Sequence, residues 1–393
     1  MVKKKLSFLV TSSLLAAGLL TGCAGGNQTS GGSNGDVIKI GANLELSGAV
    51  ASYGSSIADG LELAVEEINK DGGIDGKKIE VVKVDNKSDA AEATNAAIKL
   101  TSQDKVTAII GAATSGNTVA QAQIANDNKT VLLSPSGTSP NVTVGTDGKV
   151  NEFVFRTSFI DPFQGTVAAN FAANDLKVKN VAIFSDSASD YAKGLAASFK
   201  ETIESAGGKV VSEESYVAKD TDFRSTLTRI KAKNPEFIFI PGYYEEVGLI
   251  VKQAREMGIT APLMGADGWD SPKLVELAGA DALNNTFITN HYSSEDPDEK
   301  IQAFVTTFKE KYDGKSPDAF NALGYDSVYL LADAIERAGD LDPTKIKDAL
   351  AETKDLSLVT GTVTIDKDHN PIKSATVLEY KDGKQVFNTK VNP

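Results

Sequence analysis

Two segments of the chain place small polar residues directly after apolar runs that are typical of buried strands. In residues 106–117 a β-branched run leads into a glycine-punctuated loop and a helix expected to begin near Asn117. Ser115 adds a hydroxyl there, where the free N–H groups of a helix N-terminus suit a carboxylate. In residues 131–138, Ser136 and Thr138 offer hydroxyl and backbone groups. Together the loops are able to bind both ends of a zwitterion, although helix capping is an alternative role for Ser115 and Thr138.

Signatures of enzyme chemistry are missing from the sequence. The two histidines, His291 and His369, lie far apart without the spacing of metal ligands, and we expect both at the surface or in loops. The Gly-Lys-Ser of residues 314–316 lacks the first glycine of a phosphate-binding loop, because Lys309 stands there. Beyond residue 36, neither a GxSxG nor a GxGxxG motif occurs. We therefore predict a binding protein, not an enzyme, without catalytic residues, cofactor or metal.

The N-terminus has the features of an export signal followed by a site for lipid attachment. Residues 1–22 combine three lysines, a short apolar run and small residues, which is the order of a secretory signal. The sequence Leu-Thr-Gly-Cys that ends at Cys23 resembles the lipobox of bacterial lipoproteins, and Cys23 is the only cysteine of the chain. The alternative is an ordinary secretion signal with an incidental cysteine. Residues 23–36 are then predicted to be a lipidated cysteine and a flexible Gly/Ser/Asn-rich tether.

The charge of the chain excludes one class of partner. The formal net charge is −13, and removal of residues 1–22 takes away three lysines and no acid, which brings it to −16. Nucleic-acid binding requires a basic surface, so it is not expected. Electrostatic attachment to a membrane is equally disfavoured, which leaves the lipid on Cys23 as the anchor to the extracellular face of the cell membrane.

Beyond residue 36, short β-branched runs alternate with longer segments of helical periodicity. This pattern predicts an α/β fold with mostly parallel sheets covered by helices, one of which spans residues 55–69. The predicted strands are residues 38–42, 79–84, 106–110, 131–133, 181–184, 210–212, 237–240 and 287–289. A few closing strands are expected in residues 359–390.

About 350 residues of this alternation are too many for one compact core, so two lobes are expected. We predict two doubly wound, Rossmann-like lobes that are joined by hinge crossovers. Residues 37–157 plus 290–360 form lobe 1 in this interpretation, and residues 158–289 plus 361–393 form lobe 2.

The sequence from residue 38 onward resembles the leucine/isoleucine/valine-binding family, which has the type I periplasmic-binding fold. The matching stretches, in the order and at about the spacing of the family, are IGANLELSGAVASYG, LAVEEINKDGGIDGKKIEVV, IIGAATSGNT, LLSPSGTSP, DYAKGLA, PGYYEEVGLIVKQAREMG and MGADGWD. No single stretch is decisive, but so many in order are strong evidence of membership.

The resemblance implies roles for individual residues. The carboxylate-binding serine of the family corresponds to Ser115, and the threonine that contacts both carboxylate and ammonium corresponds to Thr138. Ser136 corresponds to the residue whose backbone carbonyl accepts from the ammonium, and Asp267 to an acidic residue that pairs with it. Aromatic residues of the cleft, expected in loops that precede helices, correspond to Tyr53, Tyr191 and Tyr243.

One residue departs from the pattern of the family, whose best-known members often carry Glu at the position of Asp267. A side chain shorter by one methylene reaches the ammonium from a closer backbone, acts through water, or suits a different ligand. The alternative role of Asp267 is that of a turn residue before Gly268.

The resemblance implies a monomeric substrate-binding receptor of an ABC importer. It would capture free leucine, isoleucine or valine, close two lobes around the zwitterion and deliver it to a separate membrane permease. One alternative is the same fold binding another amino acid, an amide or urea. Another is a sensory ligand-binding module, which usually continues into a transmembrane helix that this sequence does not show before Pro393.

Overall fold

The computed structural model of the protein describes residues 37–393, which are built around two large β-sheets. The strands of the first sheet are β1 (Val37–Leu44), β2 (Lys78–Asp85), β3 (Ala108–Gly111), β4 (Val131–Ser134) and β5 (Val154–Arg156). They lie in the order β2-β1-β3-β4-β5, and all neighbours are parallel. Every residue of β3, β4 and β5 is buried, as expected for parallel strands with both faces covered.

The second sheet has seven strands. The remaining strands in chain order are β6 (Asn180–Asp186), β7 (Lys209–Tyr216), β8 (Phe237–Phe239), β9 (Leu263–Gly265), β10 (Thr286–Asn290), β11 (Leu356–Leu358), β12 (Gly361–Ile365), β13 (Pro371–Ile372), β14 (Ala375–Lys381) and β15 (Lys384–Val391). The second sheet has the order β15-β14-β10-β9-β8-β6-β7, in which β14 and β15 are antiparallel to their neighbours. Strands β11, β12 and β13 form a small sheet of their own.

Helices cover both large sheets. They are α1 (Ala51–Lys70), α2 (Ala90–Ile98), α3 (Ser115–Asp127), α4 (Asp161–Asn170), α5 (Asp190–Ser205), α6 (Arg224–Lys231), α7 (Tyr244–Glu256), α8 (Pro272–Ala278), α9 (Ala280–Leu283), α10 (Glu299–Lys311), α11 (Ala319–Ala338) and α12 (Pro343–Ala351). Short 3₁₀ turns lie at Pro140–Val142 and Asp267–Trp269. Among the helices of residues 37–393, none is both long and apolar enough to span a membrane.

The chain passes three times between the two large sheets, in residues 157–160, 291–298 and 373–374. We call the five-stranded sheet with α1–α3 and α10–α12 lobe 1, and the seven-stranded sheet with α4–α9 lobe 2. The lobe boundaries given above remain a prediction. Strands β12 and β13, which that division assigns to lobe 2, pair with β11 in the small third sheet.

The predicted α/β fold is confirmed, and all eight predicted strands are present. The closing strands expected near the C-terminus are β12 to β15. The predicted first residues of two helices were wrong. Helix α3 begins at Ser115 rather than near Asn117, and α1 begins at Ala51 rather than at Ser55. Strand β9 was not predicted, because three residues that end in glycine carry too little β-branched character.

Helices α1 and α11 of lobe 1 pack closely through glycines. A Cβ atom added at Gly60 would collide with the backbone carbonyl of Asn321, and one added at Gly324 would collide with that of Ile57. Replacing Gly60 by alanine is therefore expected to lower the free energy of unfolding by about 1–3 kcal/mol. Urea unfolding, followed by the fluorescence of the only tryptophan, Trp269, measures this change.

The matched control is Gly116→Ala in α3, where an added Cβ meets no atom within 4 Å. Alanine is the better helix former, so this variant is expected to be neutral or more stable by up to about 1 kcal/mol. Equal losses of stability in both variants would show that the close approach of α1 and α11 does not depend on Gly60.

Candidate ligand-binding site

The two polar loops of lobe 1 meet at the carboxyl ends of β3 and β4. Ser115 is the first residue of α3, and its Oγ accepts a hydrogen bond from the backbone N–H of Ser139 (3.1 Å). Ser136 Oγ donates to the carbonyl of Ala113 (2.8 Å). These bonds join the two loops, so the hydroxyls of Ser115 and Ser136 are held on one side of the same space. Ser115 does not cap α3, because the capping position is Thr114.

A buried acid, Glu45, organises the start of α3. Its carboxylate accepts from the backbone N–H groups of Ala113 (2.8 Å) and Thr114 (3.0 Å) and from the amide of Asn117 (2.9 Å). The next amides, those of Ser115 and Gly116, have no carbonyl one turn earlier within the helix to bind. Glu45 thus fixes the loop and leaves the first amides of α3 for an anionic group.

Asp267 comes from lobe 2, where it lies two residues after β9 and begins a 3₁₀ turn. It is 2% exposed. Its Oδ1 accepts from Gln164 Nε2 (3.0 Å) and the Tyr191 hydroxyl (2.8 Å), and its Oδ2 pairs with His291 Nε2 (3.1 Å). His291 lies in a loop directly after β10, as one of the two expectations had it, but it is not at the surface, since it is 3% exposed and contacts Asp267.

Four aromatic rings stand between the polar groups of the two lobes. Tyr191 stacks on Tyr243 with ring centres 5.1 Å apart, and Tyr53 stacks on Phe320 at 4.3 Å. The predicted placement in loops before helices holds for Tyr243, which precedes α7. It was wrong for Tyr53 and Tyr191, which lie in the first turns of α1 and α5. Phe320, at the start of α11, was not predicted.

The lobes are in contact across this site. The Tyr53 hydroxyl donates to the carbonyl of Gly268 and accepts from the N–H of Tyr244 (3.2 Å). Burial raises the pKa of Tyr53 well above its ordinary value, so the phenol keeps its proton. Beside it, Tyr244 donates to the carbonyl of Ala49 (2.9 Å), and the hydroxyls of Ser52 and Ser271 are 2.7 Å apart. The structure therefore has the two lobes closed.

Replacing Tyr53 by phenylalanine is expected to weaken ligand binding about tenfold. The closed state would lose two bonds between the lobes and leave the Gly268 carbonyl and the Tyr244 amide unpaired. Titration calorimetry with leucine measures the change. The control is Tyr329→Phe, which removes a hydroxyl bonded to Glu67 (2.9 Å) away from the site. An equal loss in both variants would contradict a role of Tyr53 in closure.

Six of the seven predicted site residues surround one small cavity between the lobes. The volume open to the centre of a water-sized sphere is only about 10 Å³ there, far below the range for ligand sites. Its lining consists of Tyr53, Ala113, Ser115, Ser136, Tyr191, Tyr243, Asp267, Gly268 and Phe320. Hydroxyls face it from lobe 1 and a carboxylate from lobe 2. This arrangement suits a small molecule with an anionic end, a cationic end and an apolar part.

Thr138 is the seventh predicted residue, and it does not line the cavity. It is fully buried in the same loop as Ser136, and its Oγ1 has no hydrogen-bond partner among residues 37–393. The backbone carbonyl of Thr138 accepts from the N–H of Asp161 (3.0 Å). Burial raises the pKa of the Asp161 carboxyl well above its ordinary value. The Thr138 hydroxyl offsets part of this rise in pKa, so it lies near the Asp161 carboxyl, although the two groups do not meet the geometry of a hydrogen bond.

No cluster of His, Cys, Asp and Glu with the arrangement of a metal site occurs in the part of the chain that the structure describes. The geometry is that of a binding cleft between two α/β lobes. Residues 37–385 match the family model of the periplasmic binding protein family, and the chain belongs to this family. Its relatives bind solutes and are not enzymes.

Three similar proteins illustrate what this family binds. The leucine-, isoleucine-, valine-, threonine- and alanine-binding protein of Pseudomonas aeruginosa is 32% identical over 91% of this chain and 92% of its own length. The transporter substrate-binding protein LivJ of Streptococcus pneumoniae, solved in complex with isoleucine, is 42% identical, with a TM-score of 0.85 over 91% of this chain and all of that one. A solute-binding protein of R. palustris, solved with benzoate, is 27% identical, with a TM-score of 0.81 over 91% and 97% of the two chains.

Proposed function

We propose that this protein is the extracellular substrate-binding receptor of an ABC importer for leucine, isoleucine and valine. The observation that carries the proposal is the closed cavity, where hydroxyls of lobe 1 face Asp267 of lobe 2 across tyrosine rings. The names of the similar proteins from P. aeruginosa and S. pneumoniae support the same substrates.

Each end of a free amino acid has a partner in this arrangement. The carboxylate is bound by the Ser115 hydroxyl and the first amides of α3, and the ammonium by Asp267, the Thr138 hydroxyl and the carbonyl of Ser136. Buried charges of both signs are then paired, as a site closed to water requires. Burial of a branched side chain against the tyrosines contributes about 1.5–3 kcal/mol. Because the ligand contacts both lobes only when they are closed, binding shifts the protein toward the closed state that a permease recognises.

Isothermal titration of residues 24–393, stripped of bound ligand, tests this proposal. The panel contains the proteinogenic amino acids, urea, short amides and benzoate, the ligand of the R. palustris protein. One-to-one binding of leucine, isoleucine or valine in preference to the others supports the proposed substrate class. Binding of an amide, urea or benzoate, with no response to any α-amino acid, would keep the receptor function and refute the assignment of Asp267 to an ammonium.

We further propose that the receptor is a monomer held at the outer face of the cell membrane by a lipid on Cys23. Cys23, the signal of residues 1–22 and the tether lie outside the described residues. In a bacterial expression host, Cys23→Ser is expected to abolish incorporation of radiolabelled palmitate and to release the protein into the soluble fraction. Retention of label in the variant would contradict the lipobox interpretation, and Ser30→Ala in the tether is the control.

A further inference from the structure

His291 is a buried histidine whose ring lies behind the candidate site. It is the first residue after β10, in the second passage between the lobes. Its ring stacks on Phe159, which belongs to the first passage, with centres 3.8 Å apart and planes 20° apart. His291 is absent from the lining of the ligand cavity. It therefore contacts the site only through another residue, Asp267.

Hydrogen bonds to both oxygens hold the carboxylate of Asp267 in place. Gln164 and Tyr191 both donate to Oδ1, so these two bonds fix one oxygen. Rotation about the Cβ–Cγ bond moves both oxygens together, so a contact on the second oxygen also resists this rotation. The bond from His291 Nε2 to Oδ2 (3.1 Å) is such a contact and is the third restraint on the carboxylate. The orientation of the carboxylate thus depends partly on His291, a residue of the second passage between the lobes.

The protonation of His291 preserves the charge of Asp267. Burial lowers the pKa of the imidazole, so the ring is neutral at pH 7 and carries one N–H. A carboxylate only accepts hydrogen bonds, which places the proton on Nε2. Consistent with this tautomer, Nδ1 has no hydrogen-bond partner within residues 37–393. A lysine or arginine in this place would neutralise the carboxylate, whereas neutral histidine orients it and leaves its charge for a cation.

We infer that His291 is a positioning residue that orients the Asp267 carboxylate toward the ammonium of the ligand, a role that rests on the function proposed above. Its role is similar to that of residues that orient the metal-coordinating side chains of a metal site. His291 would orient Asp267 in the same way, without contacting the bound amino acid itself. Its position in the hinge also ties the direction of the carboxylate to the segments that bend when the lobes close.

A matched pair of variants tests this role. His291→Gln keeps an N–H donor near the position of Nε2, while His291→Met has a similar shape without the donor. Leucine affinity is measured by titration calorimetry for both variants, each with Asp267 intact and with Asp267→Asn. Next to Asp267, the Met variant is expected to bind about tenfold more weakly than the Gln variant. In the Asp267→Asn background the two are expected to differ by less than about twofold, because the carboxylate that His291 orients is gone.

Two results would overturn the inference. One is equal affinity of the Gln and Met variants next to Asp267. The other is a difference of the same size in both backgrounds, which would show that His291 acts on the fold and not through Asp267. If the Met variant fails to unfold cooperatively, His291→Phe replaces it, since that ring still stacks on Phe159. If the unmodified protein binds no α-amino acid, the proposed function is refuted, and the role of His291 with it. If the unmodified protein binds leucine but the effects of the substitutions at His291 and Asp267 are additive, only the role of His291 is refuted.

Discussion

Replacing Asp267 by alanine is expected to weaken leucine binding by about a hundredfold or more, which corresponds to about 3–5 kcal/mol. The reason is that the ammonium of the ligand would be buried in a cavity closed on both sides without an anionic partner. Donors from Gln164, Tyr191 and His291 would lose their acceptor as well. The free energy of unfolding is expected to fall too, although the sheets do not depend on this side chain.

Titration calorimetry and urea unfolding separate these two effects. Asp267→Asn keeps the shape of the side chain and removes its charge, so it should lose most of the affinity with a smaller loss of stability. The control is Asp89→Ala, which removes a carboxylate that caps α2 and accepts from Ala91 and Glu92 and that does not line the cavity. It is expected to cost about 1 kcal/mol of stability and no affinity. Unchanged affinity of Asp267→Ala would show that the ammonium is held elsewhere.

The sequence predicted the elements whose signals are local. Strands such as β1, β3 and β4 are short apolar runs, and their order along the chain predicts a parallel sheet. The polar loops after β3 and β4 follow from the same reasoning, because the carboxyl ends of parallel strands share one edge. Ser115 and Ser136 were therefore found from the sequence, and both line the cavity.

The partners that hold the site together carry no local signal. In the sequence, Glu45 is simply a polar residue after a predicted strand. In the structure it fixes the start of α3, which lies about seventy residues further on. Gln164 and Asp267 are separated by 103 residues and His291 and Asp267 by 24. Only the packing of α4, β9 and β10 side by side brings these groups into contact.

Asp267 is held at the edge of the cavity by a local turn and by Gln164. A 3₁₀ turn begins at Asp267, two residues after β9, and Asp267 lines the cavity. Gln164 supports the arrangement from both sides, since its Oε1 also accepts from the backbone N–H of Asp267 (3.1 Å).

The loop of Ser136 and Thr138 depends on a single buried cation, Arg156, at the end of β5. This side chain is fully buried, and burial lowers its pKa to about 10, which leaves it charged at neutral pH. It donates to the carbonyls of Gly137 (2.7 Å) and Ser139 (2.8 Å) and to the hydroxyl of Thr143 (3.0 Å). The first two bonds hold the backbone on either side of Thr138, so the direction of the Thr138 hydroxyl depends on Arg156.

Replacing Arg156 by methionine is expected to lower the free energy of unfolding by about 3 kcal/mol or more, because three buried acceptors lose their donor at about 1–3 kcal/mol each. Leucine affinity is expected to fall with it, since the loop no longer presents Thr138. Arg156→Lys keeps the charge but not the forked geometry, so its stability and its leucine affinity should lie between those of the unmodified protein and those of Arg156→Met. The control is Arg229→Met, which breaks an exposed pair with Glu214 and is expected to change neither property appreciably. Unchanged leucine affinity of Arg156→Met, measured below its unfolding transition, would show that the carbonyls of this loop keep their positions without the guanidinium. The position of Thr138 would then depend on the β-sheet and not on Arg156.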